Sequence, residues 1–243
     1  MKKGNNKTFS NIIKDLLKTP RGRGILFFAA YFLFFLAVIL LVRFGNRGSV
    51  IGSDLDYGTK YNFSLSNITD DNYDFLYEVT IDNATTTYQG SRYDDVELFK
   101  VNNGVNISEF YCDLDNYFIN TGQLWLKSEN PYGYYQFIDI NNISDIIDSA
   151  TYISNTSYES GKNIYNFQIS TATITKLFED LDIDIDEVPN ELMVITDEDG
   201  YVNEFQFKLD SYCRFKQICS DGMKIVLKYD NYGKVKEITS PLN

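Results

Sequence analysis

The chain has 243 residues, a formal net charge of −12 and no histidine. Without histidine there is no Ser-His-Asp or Cys-His nucleophile system and no His-ligated metal site, and an acidic surface repels the phosphates of nucleic acid. The charge is also unevenly placed: nine of the 22 basic residues but one of the 34 acids precede residue 48, which leaves 13 bases, 33 acids and a net −20 beyond it.

In the basic tail, residues 1–23, the apolar residues Phe9, Ile12, Ile13, Leu16 and Leu17 recur at helical spacing, with Ser10 near the start and Pro20 as a stop. That pattern predicts a short amphipathic helix. Its lysines suit the inner leaflet of a membrane, and docking to a cytoplasmic partner is the other use open to it. Next comes "GILFFAAYFLFFLAVILLV", Gly24 to Val42, nineteen residues without a charge. At about 1.5 Å per residue this run spans close to the roughly 30 Å of a bilayer core. It is longer than a secretory signal's apolar stretch and meets Arg43 with no small-residue cleavage pattern. A retained membrane-spanning helix over 24–43 is therefore expected. Cationic flanks stay inside, so the N-terminus is placed in the cytoplasm and the rest outside, as a single-pass integral protein of the cell membrane. Residues 44–58, rich in glycine and polar residues, read as a linker.

Residues 59–243 are expected to form one domain. Tyrosine and β-branched residues favour strands, and "YDFLYEVTID", "TTTYQGSRYDDVELFKV" and "ISEFYC" all read so. "TYISNTSY" and "NIYNFQIS" form a predicted hairpin across "ESGK", and "NEFQFKLDSY", "MKIVLKYD" and "KVKEITS" a C-terminal meander with a turn at "TDEDG" before it. Two segments have helical spacing instead: "NNISDIIDSA", with Ile143, Ile146 and Ile147, and "STATITKLFEDL", with Ile174, Leu177, Phe178 and Leu181. A sheet interrupted by two helices predicts an α+β architecture, the helices covering one sheet face.

Three shorter features bear on chemistry. "DLDIDIDEVPNE" places Asp180, Asp182, Asp184 and Glu191 at calcium-loop spacing but has Ile185 where glycine is required, so it reads as an acidic connector and no metal site is expected. Cys213 and Cys219 flank "RFKQI" at the expected tip of the meander and are candidates for a disulfide in an exported domain; the sequence does not give the separation that decides between a bridge and free thiols. Cys112 is expected to be a buried small hydrophobe. Beyond the apolar run, six N-x-S/T triplets, at Asn62, Asn67, Asn83, Asn106, Asn142 and Asn155, accompany an Asn-, Ile-, Lys- and Tyr-rich composition, which matches translation of an AT-rich bacterial genome.

The order helix "ISDIIDSA", hairpin "TYISNTSYESGKNIYNFQIS", helix "TATITKLFEDL", then "ELMVITDEDGYVNEFQFKLD" and "GKVKEITSP" resembles the bacterial LolA/LppX-like lipoprotein superfamily over roughly residues 60–243. The resemblance implies an antiparallel half-barrel with helices on its concave face around a greasy cavity. It implies a lipid or other apolar ligand at the bacterial cell envelope, held here by a membrane-spanning helix instead of a lipidated cysteine. Neither catalytic residues nor a cofactor are expected, and the chain is not read as an enzyme. Alternation puts Tyr165, Phe167 and Ile169 on one face of a strand and Phe205, Phe207 and Leu209 on one face of another. These six either line the cavity or fill the core. The alternative function is an envelope interaction, sensor or scaffold module, with a protein partner and no small-molecule ligand.

Overall fold

A computed structural model describes residues 61–69, 71–183 and 188–242. The expected tail helix, the membrane-spanning run and the linker lie outside the described residues, as does the middle of the acidic stretch at 184–187. Among the described residues no helix is long and apolar enough to cross a membrane.

The described chain builds one antiparallel sheet of 11 strands from two meanders. The first is β1 (Asn72–Ile81), β2 (Ala84–Tyr93), β3 (Val96–Asn102), β4 (Ile107–Asp113), β5 (Asn116–Asn120) and β6 (Trp125–Ser128). The second is β7 (Thr151–Ser157), β8 (Asn163–Ile169), β9 (Asn190–Thr196), β10 (Val202–Lys208) and β11 (Met223–Asp230). First and last strands join them, β1 pairing with β11, so β6 and β7 are the two edges.

Because side chains alternate across a strand, the register stacks apolar residues in rows on one face. Tyr165, Val194, Phe205, Leu227, Tyr77 and Tyr88 follow one another across β8, β9, β10, β11, β1 and β2. Phe167, Leu192, Phe207, Ile225 and Val79 form the next row. All of them are buried.

Among the described residues four short α-helices accompany the sheet: α1 (Ser66–Thr69), α2 (Ile140–Ser149), α3 (Thr171–Glu179) and α4 (Asp210–Phe215). Helix α2 starts where Asp139 accepts the backbone N–H groups of Asn141 and Asn142, and α3 where Ser170 accepts that of Thr173, each cap satisfying donors the helix cannot. Ile143, Ile146 and Ile147 of α2 are fully buried, the face their spacing predicted. Helix α2 packs on β8 and α3, and α4 on β9, β11 and α3.

Four readings of the sequence need correction. The segment 84–102 is two strands, divided by a turn in which Asp94 takes a positive φ of 51°. The strand expected through "KLDSY" ends at Lys208, and α4 follows at once. "KVKEITS" forms no strand; Asn72 holds that tail by donating to the Val235 carbonyl and accepting its N–H. Finally α3 stops at Glu179, with Asp180 left-handed, so Leu181 falls beyond the helix and is exposed, like Leu177. Cys213 and Cys219 are joined with Cα atoms 5.5 Å apart, brought together by the turn that ends α4 and not by two strands.

Candidate functional site

The six residues singled out from the sequence lie together on the sheet face beneath the helices. Tyr165, Phe167, Ile169, Phe205, Phe207 and Leu209 are each 3% exposed or less, so almost none of their surface meets solvent in this conformation. Phe137, from a 3-10 turn at Tyr135–Phe137, closes over Phe207 with ring centroids 5.7 Å apart. Leu209 is no longer on the strand but in the turn into α4, its N–H bonded to the Met223 carbonyl.

The same face is covered differently over the first meander. Tyr73, Phe75, Tyr77, Tyr88, Phe99 and Phe110 line it, all buried. Gly90, opposite both Phe75 and Phe99, allows those rings to come within 6.0 Å; a Cβ there would collide with the Phe99 side chain. The cover is the irregular segment 129–139. Its Tyr132 ring stacks on Phe99 at 4.9 Å and lies 5.2 Å from Tyr88 and 6.1 Å from Tyr77. Two hydrogen bonds tie this part of the segment to the sheet, from Tyr132 Oη to Glu97 at 3.0 Å and from the Gly133 N–H to Tyr88 Oη at 3.0 Å.

At the end of this aromatic face sits an ionic cluster. Register places Tyr73, Arg92, Glu97, Cys112 and Tyr117 in one row across β1 to β5. Arg92 donates to Glu97 Oε1 at 2.8 Å, and its Nε lies 2.9 Å from Asp71 Oδ1. The second contact is a charge pair rather than a hydrogen bond, since no acceptor lies along the Nε–H direction. Burial opposes the charge on Arg92, but the groups around it outweigh that and hold it protonated. Burial pushes the Tyr132 phenol well above its ordinary value, with Glu97 adding to the effect. It also raises the Cys112 thiol to about 12, so the thiol stays protonated and bonds the Leu114 carbonyl.

Asp71 is raised from 3.8 to about 6, by burial first and against the attraction of Arg92. Between those values the folded state binds the extra proton, so this group's contribution to stability rises as pH falls through the window. Asp71→Asn should therefore gain on the wild type in Tm between about pH 4 and about pH 7. A Tm gap that stays constant across that range would show that Asp71 titrates normally.

The sequence reading missed both the aromatic face and the cluster. The first was signalled by the alternation Tyr73, Phe75, Tyr77, Val79. The second was signalled by "RYDDVE", where a tight turn must set Arg92 opposite Glu97.

No family model matches the chain, and no curated protein matches it. Among solved structures it resembles LprF from Mycobacterium bovis, at 10% identity over 74% of this chain and 94% of that one, with a TM-score of 0.41. It also resembles a LolA superfamily protein from Nitrosomonas europaea, at 10% identity over 67% and 85% of the two chains and a TM-score of 0.25. A DUF1329 family protein from Desulfovibrio piger aligns at 9% identity over 74% and 90%, with a TM-score of 0.24. The resemblance in arrangement expected from the order of elements is thus found among solved structures, at a similarity that carries no binding property to this chain.

Proposed function

We propose that the chain is a single-pass membrane protein of the bacterial cell envelope whose outer domain, residues 59–243, binds a lipid or other apolar ligand and performs no catalysis. The 11-stranded sheet is read as a half-barrel with the helices on its concave side. The Cys213–Cys219 bridge supports an oxidising, extracytoplasmic location.

The observation that carries the binding reading is the uneven cover of one continuous apolar face. Helices fill the half over β8 to β11. Over β1 to β4 six aromatic rings lie beneath an irregular segment with one ring, Tyr132, at its centre. An acyl chain entering there would take the place of the Tyr132 ring against Phe99, Tyr88 and Tyr77, and concave, mostly apolar sites with a few polar groups are the usual form of a small-molecule site. Glu97, Arg92 and Asp71 at its end are the polar groups within reach.

A second reading, an interaction or sensor module without a ligand, is favoured by the near-zero exposure of the six residues on β8, on β10 and in the turn after it. Residues 50–243 purified alone and measured by native mass spectrometry separate the two. The binding reading predicts a co-purified mass of lipid size and, after delipidation, uptake of a fluorescent long-chain fatty acid. Neither mass nor uptake would leave the interaction module ahead.

A further inference from the structure

We infer that the corner of the sheet formed by the β3–β4 and β5–β6 turns rests on the membrane, in the interfacial layer of the lipid bilayer. The two turns lie at the same end of neighbouring hairpins, because β4 pairs with β5. They carry Val105, Ile107, Leu124 and Leu126, which are 86, 68, 65 and 50% exposed. Single exposed aliphatics are ordinary, but a group of four at one corner marks a contact surface.

Charge selects the bilayer as the occupant. Residues 101–108 and 116–126 carry no charge, in a domain whose net charge is otherwise strongly negative. The neighbouring β1–β2 turn carries Asp82, and within the two hairpins the nearest charges are Lys100, Glu109 and Lys127, which confines the uncharged surface to this corner. The backbone agrees. Backbone donors exposed to an apolar phase must be satisfied internally, and here Asn103 bonds the Asn106 carbonyl, Gly104 the Asn102 side chain, and Val105 and Asn106 that of Asn103. In the other turn Thr121 bonds the Leu124 carbonyl, Gly122 the Asn120 side chain and Leu124 the Thr121 hydroxyl. Behind the corner Trp125, partly exposed, stands on the outward face 6.3 Å from the buried Tyr111, and Trp favours the headgroup level. The inference rests on the proposed membrane-spanning helix for proximity.

Trp125 is the only tryptophan in the chain, so its emission reports this corner alone. The full chain is reconstituted into phosphatidylcholine vesicles with and without lipids brominated near the headgroup end of the acyl chain. Co-flotation with the vesicles reads the anchor, and Trp125 quenching reads the corner. The expected result is a blue-shifted emission that brominated lipid quenches, and loss of both in Val105→Asp/Leu124→Asp, which still co-floats and keeps the wild-type circular dichroism. A co-floating chain whose Trp125 remains unquenched would overturn the inference and leave the anchor standing, the outcome also expected if the corner docks a protein. Failure to co-float would overturn both.

Discussion

Phe207→Asp should leave residues 61–242 without a cooperative folding transition. Phe207 is 1% exposed, sits between Leu192 and Ile225 in its row, and meets the Phe137 ring at 5.7 Å. Removing such a ring costs about 3–5 kcal/mol. An unpaired carboxylate in the same place adds several more, or is neutralised at comparable cost. Domains are stable by only about 5–15 kcal/mol, so the sum removes most or all of the margin. Ile107→Asp, on a strand of equally apolar character but at 68% exposure, should change stability by no more than about 0.5 kcal/mol. Circular dichroism melts of the two variants beside the wild type give the comparison. A folded Phe207→Asp domain would mean that water reaches this half of the face, and the compartment proposed over β1 to β4 would then extend under the helices.

Arg92→Ala should destabilise the domain by about 3 kcal/mol, near the lower end of what breaking a buried ion pair costs. The Glu97 side chain is 11% exposed, and with Arg92 gone its only remaining polar partner among those described is the Tyr132 hydroxyl. Arg92 itself is 28% exposed, which is why the lower end applies. Glu97 is the group left stranded, so Arg92→Ala/Glu97→Ala should recover part of the loss, and a double-mutant cycle in chemical denaturation reads that coupling directly. Additive losses would show that the pair is solvated and contributes little, as exposed pairs do.

Much of the second meander was legible because its strands are long enough to state a period. In "MKIVLKYD" and "NEFQFK" the alternation runs for three or four repeats, and β11 and β10 follow it. Helix α2 was legible for the same reason, its three isoleucines falling on one stripe. Helix α4 was not. At six residues, with Leu209 before it offering no side-chain cap, it has less than two turns in which to show a period, and Phe205, Phe207 and Leu209 continue the strand rhythm right up to it. Strands β5 and β6 are five and four residues long and fail for the same reason. Tyr165, Phe167 and Ile169 of β8 and Phe205 and Phe207 of β10 share one buried face, yet alternation reports only which side a residue takes and not what covers it. What covers Phe207 is Phe137, seventy positions away. What covers Phe99 is Tyr132, from a segment with no period at all. The ionic cluster was hidden differently: Arg92 and Glu97 look like a solvated base and a solvated acid until the register sets them on the inward face, where Asp71, just before β1, meets Arg92.

The proposed apolar ligand lies between the aromatic face of β1 to β4 and the segment that crosses it. A long-chain fatty acid bearing a diazirine, photolysed with the full chain and followed by peptide mapping, tests this directly. Labels are expected on the peptides that carry Tyr77, Tyr88 and Phe99 and on the one that carries Tyr132, competed away by unlabelled fatty acid. Labels confined to Gly24–Val42, with none on those peptides of a folded chain, would contradict it.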